Sequence, residues 1–283
     1  MNYQQNVIIL EDIPEHIVTE EQCLVAVQQH SYALKYVPKQ YKTYELCKLA
    51  VQHDGLSLQF TPENIITTEL CAIAVKQDCY ALKYVPEHLI TTELCTVAVR
   101  QDSTSLRFVP EELITSKLCL IAIGKNGYAL QFTPETLITF EICELAVQQH
   151  GYALRFVPKK YKTYELCLAA VQQDGWALAH VPEQYKTKEL CEIAVQQYGH
   201  SLQFVPKYLK TTKLCDIAVT NCGSALQFVP GHLKTYELCK IAVQQTGHAL
   251  RFVLGKHRTF ELCLAALSYI PDVFECIPSR FKI

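Results

Sequence analysis

The chain has 283 residues, 49% hydrophobic and 19% charged, with a formal net charge of −2. This balance belongs to a folded chain with a sizeable core and excludes disorder. No apolar run reaches membrane-spanning length, and residues 1–6 lack the positive flank and long apolar segment of a secretory signal.

Taken in chain order, residues 1–18 carry only a partial unit and read as an N-terminal cap. From residue 19 a period of 24 sets in, with Cys23, Cys47 and Cys71 continuing in phase to Cys263 and Thr19, Thr43 and Thr67 to Thr259. Alanine (Ala26 to Ala266) and proline (Pro14 to Pro230, with Leu254 in its place once) keep the same step. Residues 19–258 are ten regular repeats. Residues 259–283 form an eleventh that departs from the pattern at Pro271, Phe274 and Cys276 and reads as a C-terminal cap.

The repeat 163–186 shows how one unit is built. Thr163 is placed as an N-cap and Glu165 stands in the first turn, where the helix dipole favours a carboxylate. Leu166, Cys167, Ala170 and Val171 then form an apolar stripe at helical spacing. Gly175 is placed to end the helix in a left-handed conformation. Ala177, Leu178 and Val181 repeat the stripe over a shorter stretch that Pro182 closes. Neither segment can bury its apolar face alone, so the units must stack. The predicted fold class is all-α: an α-solenoid (superhelix) of eleven 24-residue units, each a longer α-helix plus a short α or 3₁₀ helix.

Fourteen cysteines in a small secreted chain would imply disulfides, but eleven of these recur singly, one per repeat. That pattern reads as small buried hydrophobes in a reducing cytoplasm. No Cys-x₂-Cys pair offers converging thiolates for a metal or iron–sulfur centre, and the histidines are scattered among phases. No serine sits in a nucleophile elbow, no glycine-rich phosphate loop appears, and repeated carboxylates such as Glu45, Glu69 and Glu93 fit first-turn positions. The expectation is a non-enzyme with no catalytic residue, cofactor, metal or small-molecule substrate.

What varies between repeats is more informative than what recurs. The position before each N-cap threonine reads Lys42, Ile66, Ile90, Ile114 and Ile138, then turns basic in five successive repeats: Lys162, Lys186, Lys210, Lys234 and Arg258. Residues 1–154 hold 10 Lys+Arg against 18 Asp+Glu, whereas residues 155–258 hold 14 against 7. Lys162 to Arg258 should therefore form a basic ridge, with Tyr161 and Tyr185 beside two of its members. A second candidate surface is the position after the glycine, where Trp176 is the one tryptophan. The leading expectation is a protein-interaction scaffold whose partner has an acidic surface. The alternative is nucleic-acid or anionic-surface binding through residues 155–258. A solvated loop edge and head-to-tail self-association compete with both.

The units' shared core, Thr-x-Glu-Leu-Cys-x-x-Ala-Val followed by Gly-x-Ala-Leu-x-x-Val-Pro, resembles the helical-repeat family known as domain of unknown function 4116. The likeness spans nearly all of residues 19–270. That family occurs in intracellular bacteria, including Legionella-like ones, and in some protist and giant-virus proteins. The resemblance implies a bacterial effector translocated into a host cell, or a viral host-interaction protein, by association only. The period is also similar to that of the leucine-rich repeat variant, whose units pair an α-helix with a 3₁₀ helix.

Overall fold

A computed structural model describes residues 10–12 and 17–269; the N-terminal cap expected over residues 1–18 lies mostly outside the described residues, as do Pro271, Phe274 and Cys276 of the expected C-terminal cap. The chain divides into two compact units, Met1–Ile138 and Thr139–Ile283. Unit 1 contains α1 (Glu20–Gln29), α2 (Tyr44–His53), α3 (Thr68–Gln77), α4 (Thr92–Gln101) and α5 (Ser116–Lys125). Unit 2 contains α6 (Phe140–Gln149), α7 (Tyr164–Gln173), α8 (Lys188–Gln197), α9 (Thr212–Asn221), α10 (Tyr236–Gln245) and α11 (Phe260–Tyr269). The fold is an all-α solenoid, and each α-helix is followed, where the next repeat is described, by a six-residue 3₁₀ helix and then a three-residue 3₁₀ turn.

Local chemistry explains the regularity. The Thr163 hydroxyl accepts from the Leu166 amide at 3.2 Å, and the threonines from Thr19 to Thr259 cap their helices in the same way. Leu166, Cys167, Ala170 and Val171 are buried, as are Ala177, Leu178 and Val181. Within unit 2, α7 packs on the 3₁₀ helices Gly151–Phe156 and Gly175–His180, so it bridges its own 3₁₀ helix and the one before it, as α8, α9 and α10 do. Two layers share one core. Pro182 both stops the six-residue 3₁₀ helix and opens the turn Glu183–Tyr185, its ring fixing φ at −56°.

The glycine expectation is corrected. No described glycine has positive φ, and α7 ends at Asp174 in extended conformation, φ −144°, whose N–H donates to the Ala170 carbonyl. The glycine is required by close approach instead. A Cβ on Gly175 would stand 2.8 Å from the Ala194 carbonyl oxygen, and one on Gly199 would overlap that of Ala218. The missing side chain lets the 3₁₀ helix of one repeat touch the backbone of the next α-helix.

The α-helices end in a recurrent glutamine pair, Gln196 and Gln197 in α8, and the second glutamine is bonded to the neighbouring repeat. Gln197 donates to the Val171 and Gln172 carbonyls at 3.0 and 2.8 Å and accepts from the Gly175 amide at 2.7 Å. It thus satisfies orphan carbonyls at the C-terminus of α7 from the neighbouring repeat. Gln101 and Asn221 do the same for α3 and α8. Replacing Gln197 by alanine is expected to cost about 1–3 kcal/mol in urea unfolding, because three polar partners are left behind. Gln196→Ala, at an exposed position, is expected to stay within about 0.5 kcal/mol of the parent.

Candidate interaction edge

Within each unit the 3₁₀ turns and the residues just before each N-cap line one edge. In unit 2 the residue before the N-cap is the sequence-predicted basic series, and its geometry is the same in four repeats. Lys162 donates from Nζ to the His180 carbonyl at 2.8 Å, Lys186 to Phe204 at 2.9 Å, Lys210 to Phe228 at 3.0 Å and Lys234 to Phe252 at 2.8 Å. Each ammonium caps the last carbonyl of a six-residue 3₁₀ helix, where an orphan acceptor meets the negative dipole end. Lys42 repeats this bond to Phe60 in unit 1. Arg258 turns back on its own repeat, donating from Nε to the Val253 carbonyl at 3.0 Å and from Nη2 to Arg251 at 3.1 Å.

These side chains are half-buried. Burial pulls the ammoniums of Lys162, Lys210 and Lys234 below the usual lysine range. The ridge lysines are tethers. Their charge still contributes to the field along the edge, but their donors are engaged with backbone. The cations that stand out into solvent are Lys159, Lys160, Lys207 and Lys256, all within the three-residue turns.

A groove of about 540 Å³ opens between the turn of one repeat and that of the next. It brings together Lys159, Lys160, Lys162 and Tyr185 with His180. The Lys160 ammonium lies 4.9 Å from the Tyr161 ring centroid. His180 stands where other repeats have phenylalanine or tyrosine, its Nε2 is buried without a hydrogen-bond partner, and burial together with Lys162 and Arg155 lowers its pKa. The groove lining sets three lysines, Lys159, Lys160 and Lys162, against one carboxylate, Glu183, so the imidazole sits in a net positive surrounding.

Trp176 does not line this groove. It is half-buried on the 3₁₀ layer, with ring centroids 5.8 Å from Phe204 and 6.1 Å from Tyr198. Tyr80 on Phe108, Tyr152 on His180 and His200 on Phe228 make equivalent edge-on contacts between successive repeats. At the same phase the Tyr80 hydroxyl reaches Asp102 at 2.6 Å, and His200 Nε2 meets the Ser224 hydroxyl at 2.9 Å. This aromatic series is a packing ladder.

Among the described residues, no group of three His, Cys, Asp or Glu is placed to hold a metal ion, and no helix is long and apolar enough to cross a membrane. Every described cysteine is a free thiol, and of these only Cys222 is not buried.

The family model described as Domain of unknown function (DUF4116) matches five segments, residues 43–90, 67–114, 116–162, 163–210 and 213–255, which together cover well over half of the chain. No curated protein matches it.

Proposed function

The chain belongs to the DUF4116 family, and on that premise we propose that it is a non-catalytic scaffold that docks a macromolecule with an acidic surface on the turn edge of unit 2. The observation that carries this reading is the division of labour among the lysines. The tethered series holds the 3₁₀ helices in place and keeps positive charge along the edge, while Lys159, Lys160, Lys207 and Lys256 present exposed ammoniums. Repeat architecture supports it, because turn residues can vary without disturbing the core. Thiols buried in nearly every repeat support a reducing compartment such as cytoplasm. A bacterial effector or viral host-interaction protein remains the setting that the sequence resemblance implies.

The decisive variant reverses the exposed cations and leaves the tethers alone: Lys159→Glu, Lys160→Glu, Lys207→Glu and Lys256→Glu. Reversing Lys162 or Lys210 would bury a carboxylate against a carbonyl and confuse unfolding with lost binding. The parent is expected to be retained by immobilised poly-glutamate in a salt-dependent manner, and the variant, equally helical by circular dichroism, to lose at least about tenfold in affinity. Equal retention of both proteins sinks the reading. A parent that ignores poly-glutamate but holds a single-stranded oligonucleotide through the same four lysines would favour the nucleic-acid alternative.

A further inference from the structure

The turn edge exists in both units, built from the same phase of the same repeat, but its charge reverses between them. In unit 1 the turns expose Glu63, Glu87, Glu111, Glu112 and Glu135 against one exposed lysine, Lys39, and none of these glutamates has an ion-pair partner among the described residues. In unit 2 the turns expose Lys159, Lys160, Lys207 and Lys256. The one carboxylate in those unit 2 turns, Glu183, lies 3.4 Å from Lys186. Just behind the turns, Ile66, Ile90 and Ile114 stand where unit 2 has Lys162, Lys186 and Lys210.

Resting on the reading above, we propose that the acidic partner is a second copy of this chain, whose unit 1 turn edge docks on the unit 2 turn edge. Three features on the two edges fit one another. Their signs are opposite. Their charges come from the same three-residue turns: Glu63, Glu87, Glu111 and Glu135 stand one repeat apart at the first turn position, Lys159 and Lys207 hold that position two repeats apart, and Lys160 and Lys256 hold the next one. The larger charge distribution has the same polarity, with acidic excess over residues 1–154 and basic excess over 155–258, which steers one edge to the other at long range. Contacts of this kind are individually weak and screened by salt, so the association is reversible and strongest at low ionic strength. It is also heterologous, acidic edge on basic edge, so a bound copy still presents the edges it has not used.

The test is the average mass of the full chain by light scattering across a concentration series at low and high salt. The parent is expected to exceed monomer mass at low salt and to return to it in about 0.5 M salt, where the screening length has shrunk to a few ångströms. Two variants then split the interface: Glu63→Lys, Glu87→Lys, Glu111→Lys, Glu135→Lys on one edge, and Lys159→Glu, Lys160→Glu, Lys207→Glu, Lys256→Glu on the other. Each alone is expected to stay monomeric, and an equimolar mixture of the two to associate again. A control with the same charge change off the edge, Lys188→Glu, Lys213→Glu, Lys240→Glu, Arg251→Glu, is expected to associate like the parent. If that control is as monomeric as the edge variant, the attraction is generic and edge pairing is wrong. A parent that is monomeric at every salt yet binds poly-glutamate through its exposed lysines overturns self-pairing while leaving the proposed function standing. A parent that is monomeric at every salt and is not retained by poly-glutamate overturns both.

Discussion

Gly199→Ala is expected to cost about 3 kcal/mol and Gly231→Ala to add up to about 1 kcal/mol, although the two positions differ by just over one repeat and neither glycine has positive φ. Their surroundings decide the sign. A Cβ at 199 would overlap the carbonyl oxygen of Ala218 and come within 3.2 Å of its carbonyl carbon and 3.3 Å of the Cys222 Cβ. Backbone of a capped and packed helix, α9, is not the flexible tip of a side chain, so the two repeats must separate. Gly231, in a surface turn, has nothing within 4 Å of the corresponding point. Alanine there only narrows the unfolded ensemble. Urea midpoints of the two variants, with unchanged slopes, would show the contrast; similar midpoints would mean that close approach of the repeats does not set the glycine requirement. Ser31 occupies the Gly199 phase in the first repeat of unit 1, and Cys79 and Ser103 occupy it in two more, so the spacing at those levels admits a side chain.

Those residues were also a sequence signal. A position that needed φ above zero would hardly carry Cys79 or Ser103, so the pattern itself argued against a left-handed cap and for a site where small volume matters. The period, the N-cap threonines and the paired long and short helices were legible because each follows from local chemistry: a hydroxyl at a helix start, an apolar stripe, a proline. The tasks of Gln197 and Lys162 were less legible because they are bonds between segments distant in sequence. Traces were present even so. Over the ten regular repeats the second residue of the glutamine pair is Gln29, His53, Gln77, Gln101, Lys125, Gln149, Gln173, Gln197, Asn221 and Gln245, a side chain with an N–H to donate every time, whereas the first drifts to Gly124 and Thr220. Likewise, a phase that alternates between isoleucine and lysine is one where an apolar stem is wanted. Ile66 and Ile90 before Lys162 and Lys186 therefore pointed to half-buried lysines, and the exposed cations had to be sought in the turns, at Lys159 and Lys160.

Raising the pH is expected to unfold the protein cooperatively between pH 9 and pH 11, earlier than alkaline titration of its exposed groups would require. Burial pushes the thiols of Cys71, Cys95, Cys143, Cys167, Cys191 and Cys215 from the ordinary value of 9.0 up to about 11. Burial also raises Cys23, Cys47, Cys119 and Cys239. A group that holds its proton more tightly in the fold contributes stability that is complete below its unfolded pKa and lost as pH climbs through the folded one. Lys42, Lys162, Lys210 and Lys234, lowered by burial, act in the opposite direction, since the penalty on their charged forms is relieved as they deprotonate. Ten thiols against four lysines decide the sign. Each pKa unit corresponds to about 1.4 kcal/mol, so even discounted by half, six strongly displaced thiols remove a large part of the ~5–15 kcal/mol that holds a typical domain together. Helicity by circular dichroism and thiolate absorbance should therefore move in one transition. Thiolates appearing near pH 9 with helicity intact would mean that the cysteine ladder is open to water. A Cys276→Ser variant gives an independent reading at about neutral pH: Cys222 alone should react readily with a thiol reagent, and the ladder only at the rate at which repeats open.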